Sequence, residues 1–575
     1  MHDIIIRGGS VIDGSVDAKA TTADVAIQGG RIVEVGRVSG MAKREIDADG
    51  LLVTPGFVDI HTHYDGQASW DELMSPSFDN GVTTVIMGNC GVGFAPARPE
   101  QREWLIGLME GVEEIPGTAL HDGLDWNWES FPEYLDALAA KPHAIDIGSL
   151  MAHGPLRTYV MGERSEKELT ASPEDRAEMA KLTAEAMQAG AFGVSTSRTL
   201  YHRSTSGELV PGTYADEEEL VAIANAISQS GHGVLEVVPM GVAGDDPDGH
   251  VEEIKFLRRV AQRAGVEVQF LLGQYNERPG AWRDMLSIVE DADKDGVRMR
   301  PLVFGRGTGV LFSHQATNPF SRFPSYKALG NLPPAERLKA LRDPEVRARI
   351  LADHDPIDDE WSRLSNNPWK STYVLGEGAN YEPSLDDSVE AIARRQGRDP
   401  AEVGYDLMME QDGRAFLSYP LIGYSDYNLE AIREMLVHPL TALSGSDAGA
   451  HCNTICDAAM ATFMITHWTR DRTRGEKLPL EWVIHKQTRD TALAMNMSDR
   501  GLLKPGMIAD VNLIDYDNLR LLPPEYVNDL PSGAGRLIQR GGGYVANIKS
   551  GVVIGENGQQ TGARPGKIIR SGKMN

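Results

Sequence analysis

The chain has few cysteines and no long apolar run. Only Cys90, Cys452 and Cys456 occur in 575 residues. So sparse and odd a count does not fit a disulfide framework and predicts a reducing compartment, the cytoplasm. No apolar run approaches the roughly 20 residues of a membrane span. The first residues also lack the basic and apolar regions of a signal peptide. We therefore expect a soluble cytoplasmic protein without a membrane partner.

Basic residues are also scarce: 56 lysines and arginines face 83 acidic residues, for a formal net charge of −27. An acidic surface repels phosphate, so nucleic acid is excluded as a partner. A small anionic substrate is not excluded, because a pocket can carry local basic groups. The hydrophobic fraction of 41% suffices for a large core, and the length predicts roughly two to four structural units.

The two chain ends share a β-rich character. DIIIRGGSVIDG near the start, and GMIADVNLIDYD and VANIKSGVVIGENGQQTG near the end, are short apolar runs separated by turn residues. Gly-Gly and Asp-Gly pairs are typical of tight turns between strands. The pattern indicates that the chain leaves one sheet structure and later returns to it.

Between the ends, short apolar runs alternate with helical stretches. The helix that follows Ser172 shows the expected signals: an N-cap serine, a proline at its first position and a terminal glycine. The pattern predicts a (β/α)₈ TIM barrel, with its chemistry at the carboxyl ends of the strands. Residues from about 305 to 440 are too many for one crossover and predict an insertion between late strands, acting as a lid. The eight apolar runs are GFVDIH, GVTTVIMGN, HAIDIGSLMAH, AFGVSTS, GHGVLEVV, VEVQFLL, VRMRPLVF and LTALSGSD.

The motif GFVDIHTHYDGQ places His61 and His63 two residues apart after the first apolar run. Residues i and i+2 of an extended strand point the same way, so both imidazoles can reach one divalent cation. The spacing alone leaves a second interpretation open, a pair of hydrogen-bonded loop histidines. The position at the end of a buried strand favours the metal.

Two further residues follow apolar runs. Asp447, in LTALSGSDAGAH, has a carboxylate that can ligate a metal and take a proton from water; a turn or N-cap aspartate is the alternative. Cys90, in VIMGNCGVGFAP, offers a thiolate that binds zinc well, or it is a small core residue. His451 can ligate, orient the substrate or pack.

Together these segments resemble the amidohydrolase superfamily and, within it, the N-acyl-D-amino-acid deacylases, or D-aminoacylases. The resemblance covers nearly the whole chain, from IIIRGGSVIDG through TPGFVDIHTHYDGQ and GVTTVIMGNCGVGFAP to LKPGMIADVNLIDYD and GVVIGENGQQTGARPGKIIR. It implies a metal-dependent barrel over residues 55–500, with the insertion at about 305–440. It also implies a small β-sandwich built from residues 1–54 and 501–575.

The resemblance implies metal binding by His61 and His63, a ligand role for Cys90, and a catalytic acid/base role for Asp447, which also joins the ligands. Imidazole and thiolate ligands favour zinc. The implied reaction is hydrolysis of a non-peptide C–N amide bond in a small molecule, with metal-activated water attacking the carbonyl.

The chain departs from the deacylase pattern at two places. The fifth and sixth apolar runs have no histidine at their carboxyl ends, so we expect one functional metal per chain. Glu236 and Gln269 are polar but lie inside these runs, which leaves their direction uncertain. The family's His-Pro-Arg segment after the catalytic aspartate is replaced by SDAGAHCNTICDAAM. The resemblance therefore does not transfer recognition of a free D-amino-acid carboxylate.

Other polar residues near the predicted strand ends are candidates for substrate binding. An arginine fork suits a carboxylate, although surface ion pairing is the alternative for each arginine. A histidine can bond the substrate or serve the fold. The candidates are His153, Arg198, Tyr201, Arg203 and His451.

Two alternatives to a deacylase remain. One is a hydantoinase-like hydrolase of cyclic amides. The other is a non-catalytic scaffold protein of the same fold, which the joint presence of His61, His63 and Asp447 disfavours. The sequence leaves open the substrate, its stereochemistry, the pathway and the oligomeric state, with a homo-oligomer possible.

Overall fold

The computed structural model describes residues 1–241, 244–246, 248–357 and 360–572. The described strands are β1 (His2–Val11), β2 (Thr21–Gln28), β3 (Arg31–Gly36), β4 (Ala42–Asp47), β5 (Leu52–Pro55), β6 (Phe57–Asp59), β7 (Val82–Met87), β8 (Asp146–Ser149), β9 (Met151–Ala152), β10 (Gly193–Ser197), β11 (Val234–Val238), β12 (Glu267–Leu272), β13 (Met299–Val303), β14 (Thr308–Phe312), β15 (Tyr373–Val374), β16 (Leu417–Ile422), β17 (Ala442–Leu443), β18 (Val511–Ile514), β19 (Arg520–Leu521), β20 (Glu525–Val527), β21 (Arg536–Ile538), β22 (Gly541–Gly542), β23 (Tyr544–Lys549), β24 (Val552–Glu556) and β25 (Gln559–Gln560).

The described α-helices alternate with the central strands and fill the insertion. No described helix combines the length and the apolarity that crossing a membrane requires. The helices are α1 (Arg102–Glu113), α2 (Gly117–Gly123), α3 (Phe131–Ala139), α4 (His153–Met161), α5 (Arg164–Lys167), α6 (Pro173–Ala189), α7 (Glu217–Gln229), α8 (His250–Ala264), α9 (Ala281–Lys294), α10 (Pro324–Lys327), α11 (Pro334–Leu341), α12 (Pro344–Ala352), α13 (Glu360–Ser365), α14 (Val389–Gln396), α15 (Pro400–Gly413), α16 (Glu430–Val437), α17 (Met460–Thr466), α18 (Leu480–His485) and α19 (Thr491–Ala494).

Both chain ends enter one nine-stranded sheet, hereafter the terminal sheet. Its order is β25-β24-β23-β18-β5-β1-β2-β3, with β4 beside β1. The two ends meet where β5 and β18 pair antiparallel, with Val53 opposite Leu513. One face has its own apolar core, which includes Ile6, Val25 and Ile548. The expectation that the two ends share one sheet is confirmed.

The central strands are parallel. Each of the eight predicted apolar runs contains a strand. They form two sheets, in the orders β6-β7-β8 and β9-β10-β11-β12-β13-β17. Only Leu150 separates β8 from β9 along the chain, and a parallel bridge between Thr62 and Ala448 connects the first strand's end to the last. The structure is therefore a mixed α/β fold.

The signals at Ser172 act as predicted. The Ser172 side chain accepts a hydrogen bond from the backbone N–H of Asp175, and Pro173 begins α6. Gly190 ends the helix with φ 110°, in the left-handed region. Two of the four free N–H groups at a helix start are commonly satisfied in this way, which explains why the boundary is readable from the sequence.

The predicted insertion contains an antiparallel sheet, in the order β14-β16-β15, together with α10 to α15. It has its own apolar core, which includes Phe312, Phe320, Trp369 and Leu417. Leu311 donates its backbone N–H to the Thr454 carbonyl at 2.7 Å. The insertion thus packs against the loop that follows β17.

The C-terminal region does more than complete the terminal sheet. Between β18 and β23 the chain leaves that sheet, and β19 pairs with β22 and β20 with β21. The Leu537 N–H donates to the Cys452 carbonyl at 2.7 Å, and Tyr526 donates its hydroxyl to Asn453 at 2.7 Å. This excursion also holds the loop after β17.

Candidate metal centre

The two histidines of the opening motif lie directly after β6 and are both buried. Thr62 between them points the other way, since its hydroxyl donates to the Ile86 carbonyl at 2.9 Å. The two imidazole rings lie 5.3 Å apart between centroids. Because alternate residues of an extended chain share a side, both Nε2 atoms reach the same point.

Three donor atoms gather at that point. The Cys90 Sγ lies 3.4 Å from the His61 Nε2 and 3.7 Å from the His63 Nε2. Zinc bonds of about 2.1 Å to nitrogen and 2.3 Å to sulfur place neighbouring ligand atoms roughly 3.6 Å apart in a tetrahedral site. Within the described part of the chain, His61, His63 and Cys90 form the group whose ligand atoms all lie within 4.8 Å of one another. Their chemistry and spacing fit a divalent metal.

Asp447 approaches the same imidazoles. Its Oδ1 lies 3.3 Å from the His61 Nε2 and 3.7 Å from the His63 Nε2. Its side chain is 15% exposed, whereas the histidine side chains are at most 1% exposed. A catalytic zinc site typically has three protein ligands and one position open to water or substrate. The carboxylate of Asp447 is the accessible acidic group beside this group of three.

The backbone around the centre is strained. Cys90, Asp447 and His451 have φ values of 56°, 45° and 51°, in the left-handed region that costs about 1–3 kcal/mol for residues other than glycine. Gly91 follows Cys90, and a Cβ there would lie 2.6 Å from the Ser197 backbone nitrogen. Strain and close packing of this kind cluster where side chains must be aimed at a functional site.

The second nitrogen of each histidine faces a carboxylate. The His63 Nδ1 lies 3.3 Å from the Glu113 Oε1, and the His61 Nδ1 lies 3.8 Å from the Glu236 Oε1. The other Glu236 oxygen accepts the Cys90 N–H at 3.3 Å. Metal-binding histidines commonly donate their other N–H to such a group. Glu236, of uncertain direction in the sequence, therefore points into the centre, and Glu113 is an addition that the sequence did not reveal.

Acidic groups dominate the surroundings. Burial raises the pKa of Asp59 and of Asp65 to about 7 and the pKa of Glu236 to about 8. Burial also raises the pKa of Glu113. Among the described residues, no lysine or arginine forms an ion pair with any of these four groups or with Asp447. The centre therefore favours a bound positive charge.

The histidines respond to these carboxylates unequally. Burial would lower the pKa of His63, but Glu113 and Asp447 raise it to about 9. For His61, burial prevails and lowers the pKa to about 4. Burial would raise the pKa of Asp447, but His63 and His61 hold it below its usual range. Asp447 is thus the ionised carboxylate of the centre.

His153 and Arg198 are occupied elsewhere. The two His153 ring nitrogens bond the Thr196 hydroxyl at 2.9 Å and the Glu219 carboxylate at 3.0 Å. Arg198 donates to Glu253 at 2.6 Å and lies over a phenylalanine ring. The structure does not bring either side chain to the three donor atoms, and their substrate roles stay predictions.

Tyr201 and Arg203 lie on the loop after β10, where Tyr201 is 40% exposed and Arg203 donates to the Gly207 carbonyl. Between them, His202 lies nearer to the centre. Its Nδ1 is 2.9 Å from the Ser197 hydroxyl, and burial, with the neighbouring His451, lowers its pKa to about 3. The roles predicted for Tyr201 and Arg203 stay predictions.

His451 reaches the centre's edge. Its Nδ1 lies 3.3 Å from the Glu114 carboxylate and its Nε2 3.9 Å from the Glu113 carboxylate. Burial would lower its pKa, but these two carboxylates raise it to about 9. His451 therefore carries a positive charge that the Glu113 and Glu114 carboxylates balance, and its substrate role stays a prediction.

An α/β fold that gathers imidazoles, a thiol and a carboxylate at the carboxyl ends of parallel strands is typical of metal-dependent hydrolases. Residues 44–554 match the model of the amidohydrolase family, so the chain belongs to that family. It is a metal-dependent hydrolase of carbon–nitrogen bonds other than peptide bonds. The predicted family and enzyme class are confirmed.

Relatives match over almost the whole chain. N-acyl-D-aspartate deacylase of Alcaligenes xylosoxydans xylosoxydans is 28% identical over 582 residues, which cover 99% of this chain and 95% of the relative. A solved D-aminoacylase structure has a TM-score of 0.65 and 22% identity, and the match covers 99% of this chain and 100% of that one. That enzyme has a binuclear metal centre with one-metal activation and second-metal attenuation. N-acyl-D-glutamate deacylase of Bordetella bronchiseptica, complexed with zinc and a phosphonate inhibitor, has a TM-score of 0.64 and 19% identity, with the same coverage. The two structures show the shared fold.

Proposed function

We propose that this chain is an N-acyl-amine deacylase that hydrolyses the amide bond of a small molecule. The observation that carries the proposal is the convergence of His61, His63 and Cys90 beside the Asp447 carboxylate. The named activities of the two deacylase relatives support an N-acyl substrate. The zinc complex of one of them, with the imidazole and thiol donors here, supports zinc as the metal.

Each residue has a distinct task. His61, His63 and Cys90 hold the metal, with Asp447 as a further ligand. The bound metal supplies a Lewis acid, which polarises the amide carbonyl and lowers the pKa of water. Asp447 accepts a proton from the attacking water and passes it to the departing nitrogen. His63 and His61 hold the pKa of Asp447 below its usual range, which keeps the carboxylate ionised before it accepts the proton.

One functional metal per chain is the number we propose. Gln269 donates to the Ala494 carbonyl at 2.8 Å and to Glu267 at 3.0 Å, so its amide is used inside the fold. Glu236 accepts from Cys90 and faces His61. Neither of the strands that carry these residues, β11 and β12, contains a histidine that could hold a second metal. The one-metal activation of the D-aminoacylase supports the same number.

We further propose that the parallel strands close into one eight-stranded barrel over residues 55–500. The contact of β8 and β9 through Leu150 and the bridge between Thr62 and Ala448 support this closure. The β-sandwich of residues 1–54 and 501–575 is proposed with it. The three free cysteines support the proposed cytoplasmic location, since none is paired.

The charge of the centre bears on the substrate. Acidic groups surround the metal position without an arginine or lysine partner among the described residues. A substrate carboxylate close to the reacting amide would be repelled by these acidic groups. We therefore propose that the preferred substrate is an N-acyl compound that is uncharged beside the reacting bond, unlike N-acyl-D-aspartate.

The test combines metal analysis with a substrate panel. Purified protein is assayed for metal and for hydrolysis of N-acyl-D- and N-acyl-L-amino acids, their uncharged carboxamides, cyclic imides and simple amides. We expect about one zinc per chain and the fastest turnover with an uncharged N-acyl compound. Preferred cleavage of cyclic imides would indicate a hydantoinase-like enzyme instead. Absence of both metal and turnover would contradict the proposal.

A further inference from the structure

The end of α1 contacts two parts of the metal centre, the His63 ring and the loop that carries Asp447. Glu113 is the last residue of this helix, and Glu114 follows it with φ 53°, in the left-handed region. That turn sends the Glu113 side chain inward, where it is 2% exposed. The proposed catalytic step leaves both residues without a task, although burying an unpaired carboxylate costs several kcal/mol.

Glu113 faces the metal-binding histidine His63. Its Oε1 lies 3.3 Å from the His63 Nδ1. Both atoms are buried, and neither makes a hydrogen bond in the described structure, so each is the nearest available partner for the other. The His63 Nε2 is then directed toward Cys90 and Asp447. The ring is thus held between an acidic group on one side and the donor cluster on the other.

The same two residues hold the loop that carries Asp447. The His451 N–H donates to the Glu113 carbonyl at 2.5 Å, and the Glu114 carboxylate bonds the His451 ring. Thr454 donates its hydroxyl to the same carboxylate. Within the loop, the Ala450 N–H donates to the Asp447 carbonyl at 3.0 Å. The helix end therefore connects the His63 ring to the aspartate loop.

We propose that Glu113 is a positioning residue that accepts the His63 Nδ1–H and thereby aims the Nε2 lone pair at the metal. A carboxylate in this position fixes the tautomer and raises the basicity of the ligating nitrogen. With Glu114, it also sets the distance between His63 and Asp447. The inference rests on the proposed function, because it requires a metal at Nε2.

Glu236 provides an internal comparison. It lies 3.8 Å from the His61 Nδ1, beyond hydrogen-bond distance, and one of its oxygens already accepts the Cys90 N–H. The facing oxygens of Glu113 and Glu236 both lack a hydrogen bond among the described residues, so the two pairs differ in distance, 3.3 Å against 3.8 Å. We therefore expect the orientation of the His63 ring to depend more on Glu113 than the orientation of the His61 ring depends on Glu236.

The experiment measures metal affinity rather than turnover. Metal-free wild type, Glu113→Gln and Glu113→Ala are titrated with Zn²⁺ against a competing chelator, and with Co²⁺ for its ligand-field spectrum, across pH 6 to 8. Zn²⁺ binding should weaken about tenfold in Glu113→Gln, which keeps an acceptor, and about 100-fold in Glu113→Ala. The Co²⁺ spectrum should shift in both variants. Glu103→Gln, on the exposed face of the same helix, is the matched control and should match wild type.

Melting temperatures of the metal-free proteins show whether each variant folds, and the near-isosteric Glu113→Gln decides the matter if Glu113→Ala does not. Wild-type Zn²⁺ affinity and an unchanged Co²⁺ spectrum in folded Glu113→Gln would overturn the positioning role. A wild type that binds no metal is a different result, because it would contradict the proposed function itself.

Discussion

Two buried charged clusters lie at opposite ends of the parallel strands and differ in the balance between acidic and basic side chains. The first, here called the balanced cluster, consists of Asp146, Arg500, Asp510 and Lys549. The Lys549 Nζ lies 2.8 Å from Asp146 and 2.9 Å from Asp510, and Arg500 lies 2.8 Å from Asp146. Two buried acids thus face two bases, the partly exposed Asp499 also pairs with Arg500 at 3.0 Å, and Lys549 is completely buried.

The metal centre has no such compensation. Its buried carboxylates have imidazoles and backbone N–H groups as partners, and no lysine or arginine pairs with them among the described residues. Balanced charges at the amino ends of the strands join the terminal sheet to the central strands. At the carboxyl ends, the excess of acidic groups over basic side chains favours a cation from outside. The same degree of burial therefore serves stability in one place and binding in the other.

Removal of either imidazole should have the largest effect. His61→Ala and His63→Ala each delete one of three close donors, so we expect loss of the tightly bound metal and of measurable hydrolysis. Metal per chain and turnover are measured on the same preparations. His121→Ala, at a half-exposed histidine, is the control. Two equivalents of zinc that both support turnover would show that a second site exists.

Asp447→Asn should remove the proton acceptor and keep the shape. We expect kcat to fall about 10³-fold, in the range for loss of a general base. The melting temperature should stay near that of wild type, since the side chain is partly exposed and Asn is nearly isosteric. Wild-type turnover by this variant would exclude Asp447 as the base.

Asp146→Asn tests the balanced cluster. The substitution removes the one carboxylate that Lys549 and Arg500 share and leaves each with a single acidic partner, so the free energy of unfolding should fall by about 3 kcal/mol. Metal content per folded chain should not change. Denaturant unfolding measures the loss, and Asp136→Asn, whose ion pair with Arg570 is exposed, should cost less than about 1 kcal/mol. Equal effects of the two variants would mean that burial adds nothing to this cluster.

The smallest expected effect concerns a second balanced group, at the insertion. Burial would raise the pKa of Glu382, but His467 and Arg472 lower it from 4.5 to about 2. A lowered carboxyl pKa stabilises the fold above the unfolded value and loses that contribution as the pH falls from about 5 toward 2. The loss is at most roughly 3 kcal/mol.

Urea unfolding of wild type and Glu382→Gln at pH 6, 5, 4 and 3 measures this contribution. The difference between the two proteins should be greatest at pH 6 and should shrink toward pH 3. Glu336→Gln, at an exposed position of the insertion, serves as the control. A difference that does not vary with pH would show that the glutamate contributes packing rather than charge.

Local patterns in the sequence were sufficient for much of the fold. Short apolar runs located the eight central strands, and the Ser172 cap located a helix start, because both depend on neighbours within a few residues. The spacing of His61 and His63 likewise follows from strand geometry, and Cys90 lies where the next strand ends.

Contacts between distant segments were not readable in the same way. Glu113 ends a helix and has no local pattern that marks it as a partner of His63. The left-handed backbone of Asp447 and the excursion between β18 and β23 also depend on packing across the chain. His153 and Arg198 show the converse, since residues placed correctly along the chain have their polar atoms engaged by other partners.

The pairing of β5 with β18 has a consequence for synthesis. Residues 52–55 leave the ribosome long before their partner residues 511–514. Until then the edge of β5 has no strand beside it on that side, and an unpaired strand edge attracts other chains. The Cys452 carbonyl likewise cannot accept its hydrogen bond from the Leu537 N–H until that residue has been made. The nascent chain is therefore exposed to misassociation at this edge until residues 511–514 have been made.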